Sequence, residues 1–176
     1  MQKQYALEEP AIVRDAKRAA QNLGFDLRPE GNAASRGSEG PSACLDEVGS
    51  LLRTLTASVP RGRIGEVGTG AGVGSAWMAS ALADSASLTS VELDARLAAA
   101  ARDLFAYRSN VDVITGDWRE VMPERSPFDL LFFDGGGPEA LHPENWETLA
   151  RLLKPSGIML LDDLTPEEAW PESWRA

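Results

Sequence analysis

The sequence predicts an α/β protein built on a doubly wound, mostly parallel sheet. Three observations predict it. Five short apolar runs alternate with stretches of helical periodicity, the pattern of strands joined by crossover helices. One run, Phe128–Phe133, is apolar almost throughout, as a strand covered on both faces must be. The first run leads directly into the turn Gly68-Thr69-Gly70-Ala71-Gly72-Val73-Gly74, and a helical pattern follows it.

Taken in order, Glu8–Leu23 reads as a helix with Ile12, Val13, Ala16, Ala19, Ala20 and Leu23 near one face, and Gly24 stops it. Arg28–Ser42 is rich in Gly, Ser, Asn and Pro and reads as a loop. A second helix fits Ser42–Ser58, striped by Leu45, Val48, Leu51, Leu52 and Leu55, and Pro60-Arg61-Gly62 ends it. Arg63–Val67 is the first strand, and Ser75–Ala83 the helix after the glycine turn. Ser87–Val91 is the second strand; Asp94 caps the alanine-rich helix Ala95–Tyr107. Val111–Thr115 is the third strand and Phe128–Phe133 the fourth. Pro143–Leu153 is a helix, Lys154-Pro155-Ser156-Gly157 a turn, and Ile158–Leu161 the fifth strand. No repeat or linker divides the chain. The expected organisation is one domain: a helical cap over 1–60, an α/β core over 61–165 and a tail over 166–176.

Composition narrows the function. The chain has 176 residues, enough for one core, and carries a net charge of −10. That charge repels nucleic acid, and Arg61 with Arg63 make no basic stripe, so no nucleic-acid partner is expected. No window approaches a membrane span, and Met1-Gln2-Lys3-Gln4-Tyr5 lacks a signal-peptide run; a cytoplasmic protein with a small-molecule substrate is expected. Cys44 is alone and reads as a passive thiol.

In open α/β sheets, ligands bind beyond the carboxyl ends of the strands. Those ends carry Glu66, Glu92, Asp117, Asp134 and Asp162-Asp163. Any one acid can be a helix cap; five strand ends in register outline an acidic crevice. The glycine turn brings backbone against a ligand there, with the N–H groups of the next helix behind it. Its cofactor is not a dinucleotide, because Gly-x-Gly-x-x-Gly fails: the third position is Val73 counting from Gly68, and Ser75 counting from Gly70. Nor is it held by a phosphate loop, which needs Gly-Lys-Ser/Thr. Glu66 would repel a pyrophosphate and suits a cofactor bearing an ammonium or sulfonium cation. Glu92 stands where an acid accepts hydrogen bonds from a ribose diol.

The run Glu66-Val67-Gly68-Thr69-Gly70-Ala71-Gly72 resembles the first motif of the class I S-adenosylmethionine-dependent methyltransferases. Further motifs follow in order. Val91-Glu92-Leu93-Asp94 resembles the ribose motif and Gly116-Asp117-Trp118 the adenine motif. Phe128–Asp134 resembles the fourth-strand motif, and Leu153-Lys154-Pro155-Ser156-Gly157 with Asp162-Asp163 the fifth. The resemblance implies a Rossmann-like sheet and S-adenosyl-L-methionine as cofactor. It also implies a cofactor set of Glu66, Gly68, Thr69, Gly70, Gly72, Gly74, Ser75, Glu92, Leu93, Gly116, Asp117, Trp118 and Asp134. Within the class, the chain most resembles the catechol and caffeoyl-CoA type of small O-methyltransferases, including bacterial members, which also carry two helices before the first motif. That implies Mg²⁺ or another divalent cation on Asp134, Asp162 and Asp163, and a vicinal-diol aromatic as methyl acceptor. Three carboxylates suit such a hard cation.

Two departures are visible. The family often has Asp-x-x-Lys after the fourth strand; here Asp134-Gly135-Gly136-Gly137-Pro138 contains no Lys. His142, the one histidine, is either a base or a helix-start residue. The family also continues past the fifth strand with a helix and two strands. Either the chain is a fragment, or the edge of strand five is covered by a partner, which leaves a homodimer open, or by the tail with Trp170 and Trp174. Three readings follow from the resemblance and its departures: a metal-assisted O-methyltransferase, a metal-independent methyltransferase on another nucleophile including RNA, and a non-catalytic cofactor-binding or dimerising remnant.

Overall fold

The computed structural model describes residues 8–27, 43–135 and 143–162. Among them run six helices and five strands: α1 (Ala11–Asn22), α2 (Asp46–Ser58), β1 (Arg63–Val67), α3 (Val73–Ala79), β2 (Ser87–Glu92), α4 (Ala95–Phe105), β3 (Val111–Thr115), α5 (Trp118–Arg125), β4 (Phe128–Phe133), α6 (Pro143–Arg151) and β5 (Leu153–Leu161). The strands form one parallel sheet in the order β3-β2-β1-β4-β5. This is the doubly wound, Rossmann-like arrangement. The order reverses between β1 and β4, so the chain leaves those two central strands toward opposite edges and opens a crevice at their carboxyl ends.

Side-chain alternation divides the sheet into two covered faces. Ile64, Leu88, Leu130 and Phe132 pack with Leu52 of α2 and Met78 of α3 on one face. Val67, Val91, Leu131 and Phe133 pack with Met122 of α5 and Leu149 of α6 on the other. A third cluster joins α1, α3 and α4 through Ala16, Ala20, Ala76, Ala98 and Ala101, whose small side chains let the helices approach closely. Gly49 plays the same part in α2, since a Cβ there would overlap the Trp77 indole. Lys17 ties α1 to the start of α2: it pairs with Glu9 and lies 2.6 Å from Asp46. At the amino end of the sheet, Asp129 accepts from the Arg63 N–H at 2.7 Å and from Lys154 Nζ at 2.8 Å, joining β1, β4 and β5. Lys154 first among its neighbours holds the Asp129 carboxyl below its ordinary range.

Strands β1, β3 and β4 have the predicted bounds. The third helix differs: it begins at Val73, because Gly72 takes φ +87° at the N-cap and lets the chain enter the helix two residues early. The expected turn Lys154–Gly157 is an irregularity inside the β4–β5 ladder, with Ser156 at φ +69°. Helix α5 was not predicted. Pro123 inside it and its weak apolar periodicity hid it, although Asp117 caps it by accepting from the Arg119 N–H. The loop 28–42, the tail 166–176 and His142 lie outside the described residues. No described helix is long and apolar enough to cross a membrane.

Candidate active site

The sheet's hydrogen bonding continues past the strands and sets the site in register. The N–H groups of Gly68 and Thr69 both donate to the Val91 carbonyl, at 3.0 and 3.2 Å. The Asp134 N–H donates to the Val67 carbonyl at 2.8 Å, and the Asp162 N–H to the Phe133 carbonyl at 3.0 Å. Gly68 has φ +88°, and a Cβ there would run into the Asp134 carbonyl, so the turn can lie against the end of β4 only as glycine. The result is a cavity of about 580 Å³ at the carboxyl ends of the strands, the size of a small-molecule site.

Most of the residues singled out in the sequence meet in it. Gly68, Thr69, Gly70 and Gly74 form one wall; Glu92 and Leu93 stand at the end of β2; Gly116, Asp117 and Trp118 at the end of β3; Asp134 and Asp162 at the ends of β4 and β5. Glu92 is held by two backbone donors, Gly70 N–H to Oε2 at 2.7 Å and Asp94 N–H to Oε1 at 2.9 Å. A carboxylate offers about four acceptor positions, so roughly two remain for a ligand diol. Trp118 is steadied edge-on by Phe133, with ring centroids 5.2 Å apart and planes at 86°. Asp117 forms a fork with Arg119, at 3.0 Å to Nε, and that hydrogen bond holds its carboxyl low.

Three of the singled-out residues do not line the cavity. Gly72 serves as the N-cap of α3. Ser75 is fully buried and donates to Glu66. Glu66 is 1% exposed and faces α3, on the side of the sheet that Ile64 also faces. Its Oε2 accepts from Ser75 and, at 2.5 Å, from Ser90. Gly74 leaves room for it, since a Cβ there would lie 2.6 Å from Oε1. Burial pushes the Glu66 carboxyl up to about 7 against the two serine hydrogen bonds, and the nearby Glu92 charge adds to the rise.

Sequence reasoning missed Phe25 and Arg119 and undervalued Cys44, all of which line the cavity. Phe25, beyond the end of α1, packs against Gly70, which no helix pattern reveals. Arg119 belongs to the unpredicted α5. Burial pushes the Cys44 thiol far up, with Asp134, Glu66, Asp162 and Asp46 adding to it, so it stays a protonated wall group.

For a divalent cation, the donor set fits in kind: Asp134 and Asp162 follow adjacent strands and open on the same cavity, and carboxylates suit a hard ion. The described residues hold no group of three or more ligating side chains; Asp163 lies outside them.

Residues 66–164 match the model of a family described as a methyltransferase domain. A Mycobacterium avium (strain 104) protein, provisionally named an O-methyltransferase, is 31% identical over 128 residues, which are 69% of this chain and 57% of that protein. The catechol O-methyltransferase of Niastella koreensis is 30% identical over 124 residues, 66% of this chain and 55% of that protein. The chain thus spans little more than half the length of these curated relatives. Among solved structures, the O-methyltransferase TomG of Streptomyces achromogenes, in complex with SAM, aligns with TM-score 0.70 at 23% identity, over 89% of this chain and 67% of that one. An O-methyltransferase of Bacillus cereus in complex with SAH aligns with TM-score 0.71 at 17% identity, over 97% of this chain and 76% of that one. At these identities the likeness establishes the fold.

Proposed function

The chain belongs to the methyltransferase-domain family, and from that premise we propose that it is an S-adenosyl-L-methionine-dependent O-methyltransferase acting on a hydroxyl of a small vicinal-diol aromatic, with divalent-metal assistance. The observation that carries this reading is the cavity's charge. Its glycine wall contains no Lys or Arg, a buried carboxylate lies beneath it, Glu92 stands beside it with acceptor capacity left over, and Arg119, which also lines the cavity, is paired with Asp117. Such a wall repels a pyrophosphate and favours a cationic nucleoside.

In this reading the residues divide the cofactor between them. Glu92 accepts from the ribose hydroxyls, while Trp118, with Asp117, Gly116 and Leu93, takes the adenine. The turn Gly68–Gly74 seats the amino-acid end, and Glu66 acts on its ammonium from below through its field. The cofactor supplies a methyl group on a sulfonium. Asp134 and Asp162, with Asp163 as third donor, hold Mg²⁺ or a similar ion, which supplies positive charge that favours the ionised acceptor hydroxyl. The chain's part is to bring the acceptor oxygen and the methyl group together in a fixed geometry. The division into a cap over 1–60, a core over 61–165 and a tail over 166–176 belongs to the same proposal, as does a cytoplasmic location.

The test is transfer of labelled methyl from S-adenosylmethionine to a panel of catechols, with and without a chelator. Transfer that a chelator abolishes and Mg²⁺ restores is expected. Transfer unchanged by the chelator removes the metal from the mechanism, and cofactor binding with no transfer to any catechol removes the acceptor class.

A further inference from the structure

Beneath the glycine turn lies a chain of buried hydroxyls that meets the cavity at Thr69 alone. Ser90 of β2 is fully buried and Thr69 of the turn is 4% exposed. Thr69 Oγ1 and Ser90 Oγ are 2.5 Å apart, and Ser90 Oγ donates to Glu66 Oε2 at 2.5 Å. Ser75 donates to the same oxygen. The proton count is then determined. An ionised carboxylate only accepts, so Ser90 spends its one proton on Glu66 and must accept from Thr69. A protonated Glu66 can itself donate, to Ser75 or to Ser90, and the direction of the Ser90–Thr69 bond is then no longer fixed. The relay therefore links the charge of a buried acid on β1 to a hydroxyl in the ligand-facing turn.

We propose that Ser90 is a positioning residue for cofactor binding: its hydroxyl holds Glu66 in the ionised state and ties that carboxylate to the glycine turn through Thr69. The inference rests on the reading of the turn as the seat of S-adenosylmethionine. The surroundings of Glu66 make Ser90 matter. Burial opposes its ionisation, and the charge acting on it from β2 is a second carboxylate, Glu92. From α3 it receives the Ser75 hydroxyl, and its charge acts on the Cys44 thiol before α2, which burial keeps protonated. Asp134, beyond β4, lines the cavity. The hydroxyls of Ser75 and Ser90 are the groups that favour the charged form.

The experiment is calorimetric titration of S-adenosylhomocysteine into folded wild-type protein, Ser90→Ala, Glu66→Gln and the double variant, from pH 6 to about pH 9. The wild type is expected to bind more tightly as pH rises through about 7. Ser90→Ala removes a hydrogen bond to a charged group, so its midpoint should move up by about 1 pH unit. At neutral pH it should bind about 5-fold more weakly, with the two proteins converging at alkaline pH. In the Glu66→Gln background, Ser90→Ala should leave the pH profile unmoved. A ligand's own ionisation cancels in these differences. A Ser90→Ala profile that coincides with wild type, or that shifts equally in the Glu66→Gln background, overturns the inference while leaving the cofactor reading intact. Folded wild-type protein that binds no S-adenosylhomocysteine at any pH overturns the cofactor reading itself, and the inference with it.

Discussion

The two halves of the cavity are built differently. On the side of β1 and β2, backbone N–H groups hold Glu92, the turn hangs on the Val91 carbonyl, and a buried hydroxyl relay fixes Glu66. On the side of β4 and β5, carboxylates stand on strand ends, and among the described residues β5 is less covered than β4. Phe132 is fully buried, whereas Ile158 of β5 is 43% exposed. The first half is fixed by internal hydrogen bonds; the second is framed by acidic side chains at the strand ends. That is the division expected when one substrate is a common cofactor and the other is particular to the enzyme.

Substitutions should separate the halves. Asp134→Ala, on the open side, should lower turnover by about 1,000-fold, the worth of several kcal/mol of lost metal assistance, while cofactor affinity measured by calorimetry changes little. A comparable loss of cofactor affinity would erase the distinction.

Glu66→Gln probes the closed side through stability. Folding raises the Glu66 pKa from 4.5 to about 7. Between those values the folded state binds more protons than the unfolded one, so wild-type stability falls as pH rises through that window. Gln keeps an acceptor for the serines and does not ionise. The variant should lose this fall and exceed wild type by about 3 kcal/mol in urea denaturation at pH 8. An equal slope in both proteins would mean that Glu66 ionises freely.

Glu92→Ala should weaken cofactor binding by roughly 10- to 100-fold, the value of one or two hydrogen bonds to a charged group, with turnover retained at saturating cofactor. The smallest effect is expected for Gly49→Ala in α2, outside both halves. The methyl group would overlap Trp77, costing about 1–2 kcal/mol and lowering Tm, with cofactor affinity unchanged.

How much of this was legible in the residues depends on what each signal encodes. β4 announces itself by a run that is apolar except for Asp129, and the strand-end acids by their place after apolar runs. Helix α5 was illegible because Pro123 and a thin apolar stripe conceal it, and Arg119 was lost with it. The orientation of Glu66 was present in the alternation of β1, since Ile64 and Glu66 share a face, but position at a strand end says nothing of whether a carboxylate opens on the ligand or lies under it. Phe25 reaches Gly70 by tertiary packing, for which no periodicity exists.

The central claim is that the turn Gly68–Gly74 seats a cationic nucleoside and not a pyrophosphate. Parallel titrations of S-adenosylmethionine and NAD⁺ into the full chain test it most directly. Saturable binding of S-adenosylmethionine, lost in Glu92→Ala, with no heat from NAD⁺, is the predicted result; saturable binding of NAD⁺ with none of S-adenosylmethionine would contradict it.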